Sequence, residues 1–275
     1  MKIKGGSIVK QICLLLFAGI QVYPLIWLVL FSFKNNNEIF GGNVAGLPEH
    51  WRIENYLSAL QQAKVLDYFW NSVFVTAVTI IVVIILAATS AYAIERMEWR
   101  LSGVAMKIIL LGMMVPIHAA LLPLFMVLKN ARLLNTYLAL IIPYVAFGLP
   151  MGVYIISSFL ASIPRELEEA AAIDGCGIYR IFGSIMLPLV KPALATVAIF
   201  TYISSWNELM FAVTFISKRE FKTITVGIMS MVGTYTTKWG EIGAGLVIAT
   251  IPTLIIYMLL SENVQKSLVA GAVKG

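Results

Sequence analysis

A chain of 275 residues that is 60% hydrophobic and 12% charged, with a mean hydropathy of +0.88, lies outside the composition range of soluble globular domains. Its formal charge of +6 is spread along the chain without a concentrated basic block, which suits loops facing anionic lipid and excludes nucleic acid as the expected partner. Two cysteines, Cys13 in an apolar run and Cys176 in a polar stretch far along the chain, do not make a disulfide framework.

Six apolar runs, at residues 12–33, 73–94, 104–128, 137–160, 193–216 and 244–261, are each close to the roughly 20 residues that a membrane-crossing helix needs. The expected fold is therefore an all-α membrane protein with six transmembrane helices in a single domain, 1–275. The first run follows Lys2, Lys4 and Lys10. It is longer than a signal-peptide core and no small-residue cleavage pattern follows, so it is expected to stay as a span. Those lysines, with Arg96, Arg100 and Lys107 in a later loop, place the N-terminus in the cytoplasm, and six spans return the C-terminus to the same side.

Segment 34–69 reads as an outer loop whose NNN, GG and LPEHW stretches precede a short amphipathic helix near 53–66. The second run then leads into the third, which holds His118 between Pro116 and Pro123. An imidazole in hydrocarbon needs a partner, either an interhelical hydrogen bond or a place on a substrate path, and the two prolines loosen the helix there.

After the fourth run comes a soluble-looking inner segment, 161–191. Pro164 and the acidic Glu166, Glu168 and Glu169 make a helix start, because negative charge is favourable at the positive end of the helix macrodipole. Ala170, Ala171 and Ala172 continue the helix with little bulk, and Asp174-Gly175 should end it, glycine taking a left-handed cap. Ile178, Ile181, Phe182, Ile185 and Leu189 then recur at helical spacing. The segment is expected to form two short helices joined at a tight bend, a knuckle exposed to the cytoplasm.

The fifth run contains Trp206-Asn207-Glu208, preceded by Tyr202, Ser204 and Ser205. An ionisable group inside a span is a functional candidate by default. Two readings stay open: an interfacial anchor with Trp206 in the aromatic belt, or a cavity-lining site in which Tyr202, Ser205, Trp206, Asn207 and Glu208 meet a polar solute. Segment 217–243 follows, with a partly embedded piece near 224–232 too short to cross. The chain closes on an inner tail, 262–275.

The spacing Glu169-Ala170-Ala171, Gly175, Ile185, Leu187-Pro188 closely resembles the EAA signature of binding-protein-dependent ABC importer permeases. YPLIWLVLFSFK at 23–34, SWNELMFA at 205–212, KTITVGI at 222–228 and LVAGAVKG at 268–275 are together similar to the carbohydrate-uptake branch, in particular its MalG-like partner. The resemblance covers nearly the whole chain. It implies a type I, MalFG-like fold in which 161–191 carries a cytoplasmic coupling helix that docks on a separate ATPase subunit. By the same resemblance Glu169, Ala170, Ala171, Asp174, Gly175 and Gly177 are coupling residues, and Lys274 and Gly275 in the tail are a second contact. The implied partners are a second homologous permease, two ATP-binding subunits, an extracytoplasmic solute-binding protein and membrane lipid. The implied setting is the cell membrane.

The chain has no G-x-x-x-x-G-K-[ST] phosphate loop, no G-x-S-x-G, no H-E-x-x-H and no Cys/His cluster. No catalytic or metal residue and no cofactor is expected in it; ATP and Mg would be bound by partner subunits. The implied activity is alternating-access import of a sugar or oligosaccharide. The rival is a secondary transporter or channel for a polar solute, and against it the chain offers no convincing internal repeat.

Overall fold

The computed structural model describes residues 5–233 and 236–272, with side chains described over 10–233 and 236–259. The described chain is helical throughout its regular structure. In order the helices are α1 (Gly5–Ser32), α2 (Asn36–Phe40), α3 (Glu54–Gln61), α4 (Val65–Glu95), α5 (Ser102–Leu111), α6 (Leu121–Asn130), α7 (Leu138–Leu160), α8 (Glu166–Ile173), α9 (Ile178–Ile181), α10 (Leu187–Leu189), α11 (Lys191–Trp206), α12 (Met210–Phe215), α13 (Ile224–Met229) and α14 (Trp239–Ala272).

Four of these are long and apolar enough to cross a bilayer: Lys10–Ser32 within α1, Val65–Glu95, Leu138–Leu160 and Trp239–Leu259 within α14. A fifth candidate is the pair Ile178–Leu189 and Lys191–Trp206, bent by 73° at their junction. The run at 104–128 is not one helix. It is divided into α5 and α6 by a short 3-10 turn at Gly112–Met114 and a non-helical stretch at 115–120. Pro116 has no N–H to give to the helix ladder and disfavours helical backbone in the residue before it, and Val115 is extended at ψ 115°.

Other boundaries shift for similarly local reasons. The second span starts at Val65 rather than near 73, since Lys64 takes a left-handed φ of 56° that ends the preceding segment abruptly. The amphipathic helix expected at 53–66 is accordingly the eight-residue α3. The run at 193–216 is interrupted after Trp206, and α12 is a separate short helix. The piece near 224–232 is the six-residue α13, too short to cross.

The chain forms two compact units, and α4 and α14 contribute to both. In the first (residues 1–67 and 227–252) the end of α1 is bound to the segment that follows it. Asn55 donates to the carbonyls of Ser32 and Lys34 at 2.8 and 2.9 Å. Asn36 joins the start of α2 to the start of α14 by donating to the Thr237 carbonyl at 2.6 Å and accepting from the Trp239 amide at 3.0 Å. The Lys34 side chain is fully buried, and its ammonium donates to the carbonyls of Asn43 and Gly46 at 2.6 and 2.7 Å. Burying an amine is costly unless its N–H groups find acceptors, and these carbonyls supply them.

The second unit (residues 68–226 and 253–275) holds two hydrophobic cores. One packs Val83, Ala87 and Ala91 of α4 against Val153, Ile156 and Leu160 of α7, Ala193 and Val197 of α11, and Ala171, Ile181 and Met186 of the inner segment. The other gathers Leu140, Ile141 and Tyr144 of α7 with Phe211, Ala212 and Phe215 of α12. Gly152 lets α7 come close to its neighbours: a Cβ there would lie 2.9 Å from the Ala87 Cβ and 3.3 Å from the Val197 Cγ1. Small residues at such crossings replace, inside lipid, the hydrophobic drive that operates in water.

Candidate functional site

The knuckle is built as a rigid root with an exposed tip. Glu166, Glu168 and Glu169 occupy the first turn of α8, with Pro164 just outside it. The helix ends in a Schellman cap: the Gly175 amide donates to the Ala172 carbonyl at 3.0 Å and the Cys176 amide to the Ala171 carbonyl at 2.9 Å, with Gly175 at φ +80°. Gly177, extended at ψ 160°, turns the chain into α9.

After α9 the helix widens into a π turn at Phe182–Met186. The extra residue rotates the following face, so the buried positions run Ile181, Met186 and Val190, and not Ile181, Ile185 and Leu189 as regular helical spacing predicts. Of the coupling candidates, Glu169, Ala170, Asp174, Gly175 and Gly177 are exposed, while Ala171 is buried in the first core of its unit. Ala171 therefore fastens the knuckle to the membrane helices. The tip instead presents two large apolar side chains, Ile173 at 86% and Tyr179 at 90% exposure.

The root is clamped by Arg96, just past the end of α4. One guanidinium nitrogen donates to the carbonyls of Leu160 and Ile163 at 2.7 and 2.6 Å, capping the end of α7, and the other lies 3.5 Å from the Glu168 carboxylate. The Arg96 side chain is only 4% exposed, so this link is shielded from solvent. Sequence reasoning used Arg96 only as a marker of sidedness. Its position just past a long apolar run, four residues after Tyr92, was the only available signal.

The second candidate feature is a cavity of about 370 Å³ between α7 and α11, lined by Tyr144, Phe147, Thr201, Ser204, Ser205 and Glu208 among others. Glu208 sits in the break after α11. Its carboxylate accepts from the Tyr144 hydroxyl at 2.7 Å and from the amides of Phe211 and Ala212 at 2.7 and 3.0 Å. Three donors around one carboxylate offset the cost of taking it out of water. Between the two readings of Glu208, the geometry supports the cavity-lining one.

The remaining path candidates separate. Ser205 lines the cavity with Glu208. Tyr202 and Trp206 are buried behind it, stacked on each other with ring centroids 5.5 Å apart; Tyr202 hydrogen-bonds Thr253 at 3.0 Å and Trp206 meets Phe69 edge-on. Asn207 is exposed and caps α11 by donating to the Ile203 carbonyl at 2.9 Å. His118 is exposed in the 115–120 break, while its neighbour Ile117 lines the cavity. Lys274 and Gly275 lie outside the described residues.

A multi-pass helical protein with an exposed, clamped knuckle between its spans and a small cavity beside a broken helix has the architecture of a transport subunit. Residues 84–270 match the family model of the binding-protein-dependent transport system inner membrane component, and the chain belongs to that family. It is similar to the probable ABC transporter permease protein YurM of Bacillus subtilis (38% identity, 98% of this chain and 89% of that one). It is likewise similar to the diacetylchitobiose uptake system permease protein NgcG of Streptomyces coelicolor (34%, 96% and 87%) and the trehalose/maltose transport system permease protein MalG of Thermococcus litoralis (32%, 98% and 99%). A crystal structure of a bacterial ABC transporter involved in alginate import contains a chain of the same fold, with a TM-score of 0.83, 23% identity and coverage of 95% and 99%. This chain is the membrane permease subunit of an ATP-driven importer, and ATP hydrolysis belongs to its partner subunits.

Proposed function

We propose that the chain is one of two different but homologous permeases that import a sugar or oligosaccharide, standing on two ATP-binding subunits and receiving solute from an extracytoplasmic binding protein. Support for the sugar comes from relatives named for diacetylchitobiose and for trehalose/maltose. In this reading the N- and C-termini and the knuckle face the cytoplasm, and the knuckle seats in the ATPase through Ile173, Tyr179, Glu169 and Ala170, with Lys274 and Gly275 as a further contact.

The observation that carries the reading is the contrast within the knuckle. Its root is fixed to α4 and α7 through Arg96, yet its tip leaves Ile173 and Tyr179 almost wholly uncovered. Large side chains left bare beside a stiff anchor suit a surface that another chain covers and pushes upon. Closure of the ATPase pair would move the knuckle as a body, and the Arg96 clamp would pass that displacement to α4 and α7. The cavity beside α7 and α11 would then open to one side or the other, with Ser205 and Glu208 meeting hydroxyl groups of the passing solute, Tyr202 and Trp206 stiffening the wall, and Asn207 and His118 near its rim. Co-purification tests this: Ile173→Asp with Tyr179→Asp should release the ATPase while leaving the second permease bound. Retention of the ATPase at wild-type stoichiometry refutes the docking assignment.

A further inference from the structure

Helix α3 uses its polar groups to hold the fold and leaves its large apolar side chains bare. Asn55 fixes the start of the helix to the carbonyls of Ser32 and Lys34, the Tyr56 and Ser32 hydroxyls share a hydrogen bond of 2.7 Å, and Ser58 and Ala59 are buried. Ile53, Leu57 and Leu60, at i, i+4 and i+7, form an uncovered stripe with exposures of 62, 52 and 37%. A helix in water turns such a stripe toward the core, and this one does the reverse. At about 100° per residue, the exposed Glu54 and Gln61 follow the stripe on one side, and both border a polar cleft with Asn37 and Lys238. The open face of α3 is therefore divided along its length into an apolar half and a polar half.

The ends of α3 are tied to the ends of two membrane-crossing helices. Asn55 bonds its start to the last turn of α1, and only residues 62–64 separate its end from α4. A helix joined so closely to two span ends runs along the membrane boundary and not away from it. The 31 residues of α4 extend about 46 Å, against roughly 40–45 Å for a bilayer with its headgroups, so the first turn of α4 stands at headgroup level. Trp51, exposed just before the stripe with its ring 5.1 Å from that of Phe33, is of the residue type that concentrates at this level.

We infer that α3 lies flat in the headgroup layer as an interfacial anchor, with Ile53, Leu57 and Leu60 against the acyl boundary of the bilayer lipids and Glu54 and Gln61 turned to water. A short helix split lengthwise into apolar and polar halves is the form that binds this boundary, and it does so through buried apolar area. The occupant is lipid because both ends of the helix are held where lipid is the surrounding medium, and because the stripe carries no charge or hydrogen-bonding group. The anchor would fix the junction of α1 with α4 at the membrane surface while other helices move. It holds whichever side of the membrane the segment faces and whatever solute is carried.

The test uses the whole transport complex, otherwise free of cysteine, in nanodiscs, with a nitroxide attached in turn at Leu57→Cys, Leu60→Cys and Gln61→Cys. All three positions are exposed, so the labels need not disturb the fold. Collision of each label with oxygen, which concentrates in acyl chains, is compared with collision with a water-soluble nickel chelate. The oxygen-to-nickel ratio should be at least about threefold higher at positions 57 and 60 than at 61. Equal ratios at the three positions, with strong nickel collision, would show a face in water and overturn the inference. Weak collision with both reagents at 57 and 60 would give the stripe to a protein chain and overturn it equally. An independent readout is a bimane on Leu57→Cys, which lipids brominated near the headgroup end of the acyl chain should quench more than lipids brominated near the methyl end; quenching by neither would refute the placement.

Discussion

Gly175 holds φ at +80° in the knuckle's cap, and a Cβ built on it would meet nothing within 4 Å in this chain. Substitution there is therefore governed by backbone strain alone. An L-residue in left-handed backbone costs about 1–2 kcal/mol, Asn at the low end because its short polar side chain tolerates that region, and a β-branched residue at the top. Each ~1.4 kcal/mol is tenfold in an equilibrium. If the capped knuckle is the form that docks, affinity for the ATPase should fall about fivefold for Gly175→Asn, about tenfold for Gly175→Ala and about thirtyfold for Gly175→Val. Titration of ATPase onto nanodisc-held permease reads this order directly. Steric conflict with the partner would instead follow size, making Asn worse than Ala. That inversion, or a wild-type affinity for Gly175→Val, would refute the cap argument.

Arg96→Met removes the clamp and leaves Glu168 without its cation; breaking a shielded pair costs about 3–5 kcal/mol, so thermal unfolding in detergent should move clearly downward, with partial recovery on adding Glu168→Gln. Gly152→Val overfills the crossing of α7 with α4 and α11 and should destabilise by about 1–3 kcal/mol, partly restored by Ala87→Gly opposite it; an undiminished unfolding midpoint would contradict the packing. Tyr144→Phe deletes one of three donors to Glu208 and should cost about 0.5–1.5 kcal/mol of stability, the net worth of a typical intramolecular hydrogen bond, whereas Glu208→Leu also empties the cap of α12 and should lower transport further in proteoliposomes.

Much of the knuckle was legible in the sequence because its determinants are local. Glutamates in a first turn, three alanines and a glycine cap act within a few residues of themselves, and α8 ends where Asp174-Gly175 predicts. The positions of Met186 and Val190 were not legible, since one π turn shifts the phase of everything after it and carries no composition signal. The run at 104–128 misled for a related reason: hydropathy averages over Gly112 and Pro116, where backbone chemistry divides the helix. His118, read as an imidazole within that run, sits in the break itself and is exposed in the chain. The Arg96 clamp and the link from α2 to the start of α14 depend on residues tens to hundreds of positions apart, and no periodicity brings Arg96 to Ile163 or Asn36 to Thr237. Glu208 lies between: its chemistry marked it, but its three partners emerged only from the fold.

The most direct test of the account is the sidedness and coverage of Tyr179. With Cys13 and Cys176 changed to Ala, a single Tyr179→Cys is exposed to a membrane-impermeant maleimide in right-side-out and inside-out vesicles, with and without the bound ATPase. Labelling only in inside-out vesicles, suppressed when the ATPase is seated, is the predicted result. Labelling from the outer face, or equal labelling with and without the ATPase, would contradict the claim that this knuckle receives the force of nucleotide turnover.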